Sequence, residues 1–382
     1  MSFKEVYIVR TASFFPNEPV SNDEMEEYLG YINKNPSKSK RIVLRNNGIK
    51  RRFYALTKDG KQTHSNAQMT ANAVRALFQQ DPEKLKEIEL LACGTSSPDQ
   101  LMPSHGVMVH GELPESASIE VISPSGVCCA GMHAFKYAYM SIKTGDVTSA
   151  VTAGSERFSG LLRSEVFEDE VQKLVQLEEN PYISFEKEFL RWMLSDGAGA
   201  FLLSDKKNEH GFSLRVEWIE GASYANHMET CMYMGSEKLP DGSLKSYMDF
   251  TQEEIIDKSI LSIKQDVKLL SENIIRLGGI KLKEVLTKRG LDVKDIDYYL
   301  PHMSSEFFRT KMFDELNKKE MGIPFEKWFV NLASVGNVGA ASAYMMVDEL
   351  FHSGRLKKGE RILMLVPESA RFSYSFSLLT VC

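Results

Sequence analysis

Three residues carry chemistry that their surroundings can support. Cys129 is followed by Ala130 and Gly131 and preceded by a Ser-Pro-Ser-Gly stretch, Ser123 to Gly126. This pattern predicts a turn that opens a helix at the cysteine. Small residues let backbone and a substrate approach the sulfur. A helix N-terminus stabilises a thiolate and raises its nucleophilic fraction. A buried apolar cysteine fits the same spacing. The adjacent Cys128 points elsewhere on the helix start and reads as structural. His302 follows Pro301 at the end of an expected strand, where α/β folds place active groups. A structural histidine there is the commoner case. Asn337 sits in a Gly-Asn-Val-Gly turn before a helix and on local grounds is a cap or turn residue. Spacing alone does not bring the three together. The histidines and cysteines show no metal-ligand spacing, so no metal is expected.

The elements that must position these residues alternate between strand and helix, which predicts an α/β layered fold. Two stretches look alike. In one, Ile88 to Gly94 reads as a buried strand. A helix opens near Cys129 and ends near Gly145, and a second strand runs from Val147 to Ala153. In the other, Ile296 to Leu300 is the strand. A helix opens near Gly339 and ends near Gly354, and Arg361 to Val366 is the second strand. Two copies of one α/β unit explain the echo. Residues 157 to 194 are acidic and aromatic and read as an inserted helical cap. Residues 252 to 289 read as a long amphipathic helix laid on a sheet.

Composition excludes several classes. The chain has 382 residues, 46 Lys plus Arg against 52 Asp plus Glu, and a net charge of −6. Charge-driven nucleic-acid binding is not expected. No apolar run is long enough for a membrane span, and the start lacks a signal-peptide core. Five cysteines in a chain of this length make no disulfide framework. A reducing cytoplasmic setting is expected.

With these residues in hand, a resemblance is visible. Cys129-Ala130-Gly131, Pro301-His302 and Gly336-Asn337 with Ala340-Ala341-Ser342 follow the order and spacing of the β-ketoacyl-ACP synthase III family, of the thiolase superfamily. Asp196-Gly197-Ala198-Gly199-Ala200 matches its Asp-Gly-Ala-Gly-Ala motif, and Arg45 to Arg52 is similar to its Arg-Thr-Gly-Ile stretch. The resemblance spans essentially the whole chain. It implies two βαβαβαββ halves in a five-layered αβαβα fold, residues 1–205 and 206–382, working as a homodimer. It implies Cys129 as the acyl-accepting nucleophile, with His302 and Asn337 binding the carbonyl oxygen of the second thioester. It places the oxyanion hole at the Cys129 N–H with a second donor near Ala370. Arg41, Arg45, Met102, Ser304 and Ser305 fall where it implies contacts with the acyl chain or its carrier. Met102 stands at the position that reaches across the dimer. The substrates implied are phosphopantetheine-linked thioesters, on CoA or acyl carrier protein, with no further cofactor.

Departures from the family pattern point away from the housekeeping role. The family's Pro-His-Gln-Ala-Asn becomes Pro301-His302-Met303-Ser304-Ser305, and its glycine-rich C-terminal loop becomes Glu368-Ser369-Ala370-Arg371-Phe372. Arg41 replaces a tryptophan and Phe307 replaces a basic residue. The cap and loop look closest to ketosynthases that build dialkylresorcinols. There, Glu368 or Glu156 could serve as a base. A basic run from Ser37 to Arg52 suits a phosphate or an acidic carrier protein, or is a solvated face. An acyltransferase that forms no C–C bond and a non-catalytic partner subunit are the competing readings.

Overall fold

The computed structural model describes residues 3–37, 39–164 and 189–382. Nine strands form one mixed sheet: β1 (Tyr7–Phe14), β2 (Leu90–Thr95), β3 (Glu120–Ile122), β4 (Ser149–Glu156), β5 (Gly197–Ser204), β6 (Leu214–Ser223), β7 (Tyr298–Pro301), β8 (Arg361–Glu368) and β9 (Ser373–Val381). Six helices build the layers around it: α1 (Asn66–Ala76), α2 (His105–Gly111), α3 (Ala130–Thr144), α4 (Val267–Arg289), α5 (Phe307–Lys318) and α6 (Ser342–His352). The strand order is β3-β2-β4-β5-β1-β6-β9-β8-β7.

Pairing repeats between the halves. β1 is antiparallel to β5 and β5 to β4, while β4, β2 and β3 are parallel. In the second half β6 is antiparallel to β9 and β9 to β8, while β8 and β7 are parallel. The counterpart of β3 is reduced to one parallel bridge, Tyr299 to Trp328. The halves join where Tyr7 and Ile8 of β1 pair with Arg215 and Leu214 of β6. The expected division at residue 205 falls in the connection from β5 to β6.

Alternation along the strands separates three cores. Leu90 and Ala92 of β2 and Met364 and Val366 of β8 face a central layer with Phe135 of α3 and Val347 of α6. Leu91 and Cys93 of β2 face outward onto α1, through Met69 and Val74. Leu363 and Leu365 of β8 face the opposite way, onto Ile274 of α4 and Met312 of α5. The two halves of the sheet thus lie on either side of α3 and α6, with α1 outside one and α4 and α5 outside the other, which is the expected helix-sheet-helix-sheet-helix order.

Local signals explain the element ends. Ser65 and Gln68 form a capping box at α1. Gly145, with φ of 83°, closes α3 in the left-handed region. The expected single helix over 252–289 is broken. A short helix, Gln252–Asp257, is followed by Ser259 at φ of 47°. Lys264–Gln265 then pairs with Met232–Tyr233 before Asp266 caps α4. Periodicity carried across this stretch because Ile260 and Ile263 still face inward from a non-helical backbone. Most of the expected cap, residues 165–188, lies outside the described residues. Among the described residues no helix is long and apolar enough to cross a membrane.

The two central helices are bolted together by Tyr344. Its hydroxyl donates to the Gly131 carbonyl at 2.7 Å and lies 2.7 Å from Thr152 Oγ1. All of this is buried. Tyr344→Phe removes this cross-link and leaves the Thr152 hydroxyl without its partner in the core. Urea unfolding is expected to show a loss of about 1–3 kcal/mol; an unchanged midpoint and slope would refute this bond's contribution.

Candidate active site

The site is built around the start of α3. Gly131 has no side chain because none fits: a Cβ there would lie 2.3 Å from the Ala340 carbonyl oxygen. Gly94 of β2 is constrained likewise, with a Cβ 2.1 Å from the Ala130 oxygen. These glycines let α3 abut both β2 and the Gly339–Ala341 turn that precedes α6. The small residues after the cysteines therefore serve helix packing as well as access.

An apolar cavity of about 720 Å³, its mouth included, opens at this point. Its wall holds Cys128, His302 and Asn337, brought from three distant segments of the chain. Leu190, Met193, Ile274, Met303 and Met312 add apolar surface, and Ser304, Gln265 and Ser369 add polar groups. Val127 and Gly339 complete the wall beside the cysteine and the asparagine.

The adjacent cysteines take the opposite positions from those expected. Cys128 faces the cavity. Cys129 is fully buried in the central core, and its Sγ donates to the Val366 carbonyl at 3.3 Å. Successive residues at a helix start point about 100° apart, so one faces in and the other out. Which one faces the substrate is set by how the turn sits on β8, and the motif spacing does not record that. Burial, then the Glu368 and Glu156 carboxylates, hold the Cys128 thiol well above its ordinary pKa. The Cys129 thiol is also raised, first by burial and then by Glu368.

His302 follows β7, and its backbone N–H donates to the Leu365 carbonyl at 2.8 Å. Burial pushes its pKa down to about 4, so the ring is neutral at pH 7 and keeps one N–H donor. Asn337 is anchored by its backbone: its N–H donates to the Met193 carbonyl, and its carbonyl accepts from Ser195 N–H. Its Oδ1 accepts from Gly339 N–H at 3.0 Å, so the amide NH₂ is the edge left to donate. A neutral histidine and an oriented amide make a pair of donors suited to a developing oxyanion.

Two glutamates flank the site. Glu156 is fully buried at the end of β4. It accepts from Ser97 Oγ, Ser96 N–H and Oγ, and Ala340 N–H. Burial nonetheless raises its pKa to about 7. Glu368 ends β8, and its Oε2 accepts from Val127 N–H at 2.9 Å and Cys129 N–H at 3.0 Å.

Of the two groups expected to form an oxyanion hole, the Cys129 N–H is already bonded to a carboxylate, that of Glu368. The Ala370 carbonyl receives Cys231 and Met232 N–H groups. Ser304 lines the cavity as expected. Ser305 does not: it is fully buried and its Oγ accepts from Phe307 N–H ahead of α5. Arg41 and Arg45 are exposed on the helix Lys40–Asn47 and are not part of the cavity wall. Met102 is 86% exposed, beside exposed Leu101. The basic run is partly internal. Lys40 pairs with Glu26 at 2.9 Å, and Arg52 is buried and donates to Asn22. Asp196 of the Asp-Gly-Ala-Gly-Ala motif is a brace, binding the N–H groups of Ala55, Phe158 and Ser159.

The cavity walls from α4, α5 and residues 190–194 are not foreseen from the sequence. Their apolar residues are no different in type from core residues, so no local signal separates them.

The chain is similar to several known proteins. Residues 286–367 match the family model described as 3-oxoacyl-[acyl-carrier-protein (ACP)] synthase III C terminal. The β-ketoacyl-[acyl-carrier-protein] synthase III of Clostridium acetobutylicum is 23% identical over 367 residues, covering 94% of each chain. The counterpart from Chlorobaculum tepidum is also 23% identical, over 361 residues and 94% of each chain. Among solved structures, the tetronic acid condensing enzyme AbyA1 superposes with a TM-score of 0.76 at 18% identity, covering 98% of this chain and 99% of that one. OleA of Xanthomonas campestris with lauric acid and lauroyl-CoA gives 0.73 at 19% identity, covering 99% of each. The C-terminal part of the chain thus matches the synthase III family model, the whole chain is similar to synthase III enzymes, and it shares its fold with the condensing enzymes among the solved structures.

Proposed function

We propose that this protein joins two thioesters by Claisen condensation, with Cys128 as the acyl-accepting nucleophile. An acyl group passes from CoA or an acyl carrier protein to the Cys128 sulfur. The enolate of a malonyl- or β-ketoacyl-thioester then attacks the acyl carbon. His302 and the Asn337 amide hold the enolate oxygen. The supporting observation is that Cys128, His302 and Asn337 share one apolar cavity. The chemistry calls for no cofactor beyond the phosphopantetheine of the substrates.

The finer reading is a ketosynthase of the dialkylresorcinol type. Apolar walls from α4 and α5 suit alkyl chains, and the departures at 303–305 and 368–372 favour a specialised acceptor. A β-ketoacyl acceptor has an acidic α-proton, so decarboxylation is not required, and a second condensation closes the ring. Exposed Arg41, Arg45, Lys50 and Arg51 suit the phosphates of CoA or an acidic carrier protein. Exposed Leu101 and Met102 suit the interface of a homodimer.

Intact-protein mass spectrometry with a panel of acyl-CoA and acyl-carrier thioesters tests the reading. A mass gain that is discharged on adding malonyl- or β-ketoacyl-thioester, with a new C–C bond in the product, supports it. Discharge only to an alcohol or amine makes the protein a simple acyltransferase. No adduct from any donor moves it to a non-catalytic partner subunit.

A further inference from the structure

We propose that Glu368 is the proton acceptor that makes the nucleophilic carbon of a β-ketoacyl acceptor. The inference rests on the condensation reading above and names the base that reading requires.

The titratable groups around the cavity differ in what each is free to do. His302 is neutral and weakly basic in its buried place, which suits a donor to the enolate oxygen. Cys128 carries the acyl group at this stage. Glu156 stands behind Gly339, where a Cβ would lie 2.8 Å from its Oε1. Both of its oxygens already accept hydrogen bonds, Oε1 from Ala340 N–H and Oε2 from Ser97 Oγ among others.

Glu368 is placed differently. Its Oε2 is clamped by the N–H groups of Val127 and Cys129, the residues on either side of Cys128. Backbone N–H groups two residues apart form a concavity that fixes an anion. The carboxylate is thereby held beside the acyl-bearing residue, behind the cavity wall to which its neighbours Pro367 and Ser369 belong. It is 7% exposed, so it is shielded from bulk water.

The step balances. The α-C–H bond of the β-ketoacyl thioester breaks, and its proton goes to Glu368 Oε1. The electron pair moves onto the carbonyl oxygen held by His302 and Asn337. The α-carbon then forms a C–C bond with the acyl carbon, the C–S bond to Cys128 breaks, and the departing thiolate takes the proton from Glu368. Both side chains return to their starting states.

The test compares wild type, Glu368→Gln and Glu368→Asp. Each is loaded with octanoyl-CoA and then given either malonyl-CoA, whose carbanion comes from loss of CO₂, or 3-oxooctanoyl-CoA, whose carbanion requires proton removal. Glu368→Gln is expected to load and to lose about 100-fold more with 3-oxooctanoyl-CoA than it loses with malonyl-CoA. Glu368→Asp is expected to recover part of that loss. Equal losses with both acceptors would make Glu368 a brace for the Val127–Cys129 turn and overturn the proposal. Unchanged discharge to the β-ketoacyl acceptor, or loss of loading in both variants, would also overturn it. Failure of wild type to load refutes the condensation reading itself.

Discussion

Cys128→Ala is expected to abolish acyl-enzyme formation, while Cys129→Ala keeps it. With an acyl-CoA donor and intact-mass detection, the first variant should lose at least about three orders of magnitude in loading rate, the scale seen when a covalent nucleophile is removed. The reason is position. The Cys128 sulfur opens on the cavity that also holds His302 and Asn337. The Cys129 sulfur lies on the far side of the turn, fully buried against β8, bonded to the Val366 carbonyl. Removing it costs packing, about 1 kcal/mol, without touching the cavity. The resemblance to synthase III enzymes places the nucleophile at Cys129, so the paired variants decide between motif spacing and geometry. Loading lost in Cys129→Ala and kept in Cys128→Ala would refute the assignment made from the cavity.

The second large effect is on stability against pH. Glu156 has a pKa of about 7 in the folded chain, against 4.5 ordinarily, because burial outweighs the hydrogen bonds it accepts. Its folded pKa is raised, so the folded state holds a proton that the unfolded state has released between those values. The associated stability is fully present below pH 4.5 and is lost as pH rises through 7. At 1.36 kcal/mol per pKa unit the loss is about 3 kcal/mol. Glu156→Gln does not titrate. The stability gap between wild type and Glu156→Gln, taken from urea unfolding at pH 5 and pH 8, should therefore change by about 3 kcal/mol in favour of the variant at the higher pH. Taking the difference cancels other titrating groups, Asp196 among them. A gap that stays constant across that range would show that Glu156 is ionised at both ends.

The consequence for the site is direct. Glu156 supports the Ala340 N–H of the turn that follows Asn337, and lies behind Gly339 in the cavity wall. Its protonation changes the charge near Cys128, whose thiol it helps to raise. The same carboxyl thus couples fold stability to the reactivity of the cavity.

Much of the molecule is legible in the chain itself. The strand at Ile88 to Gly94, the helix ending at Gly145 and the strand at Arg361 to Val366 are readable because apolar runs and glycine stops act locally. The duplicated unit is readable because each half repeats those local signals at nearly equal spacing. On local grounds His302 and Asn337 are a structural histidine and a turn residue; they stand out only because Pro301-His302 and Gly336-Asn337 resemble motifs of a known family.

Other features depend on contacts between distant segments. The long helix expected over 252–289 is interrupted because Lys264–Gln265 pairs with Met232–Tyr233, a long-range hydrogen-bonding choice invisible to periodicity. The order of the nine strands, with β1 and β6 joining the halves, is likewise a tertiary fact.

By itself the sequence determined the fold class and the two-fold repeat, since both rest on residue type and local spacing, while Cys129, His302 and Asn337 were singled out through the resemblance to a known family. Tertiary structure alone decided which of two adjacent cysteines meets the cavity, and it placed a glutamate where an oxyanion donor was expected. The physical reason is directional: hydrogen bonds such as Val127 and Cys129 to Glu368 rotate a turn by their geometry, and residues separated by more than two hundred positions enter one another's environment only when the chain is folded.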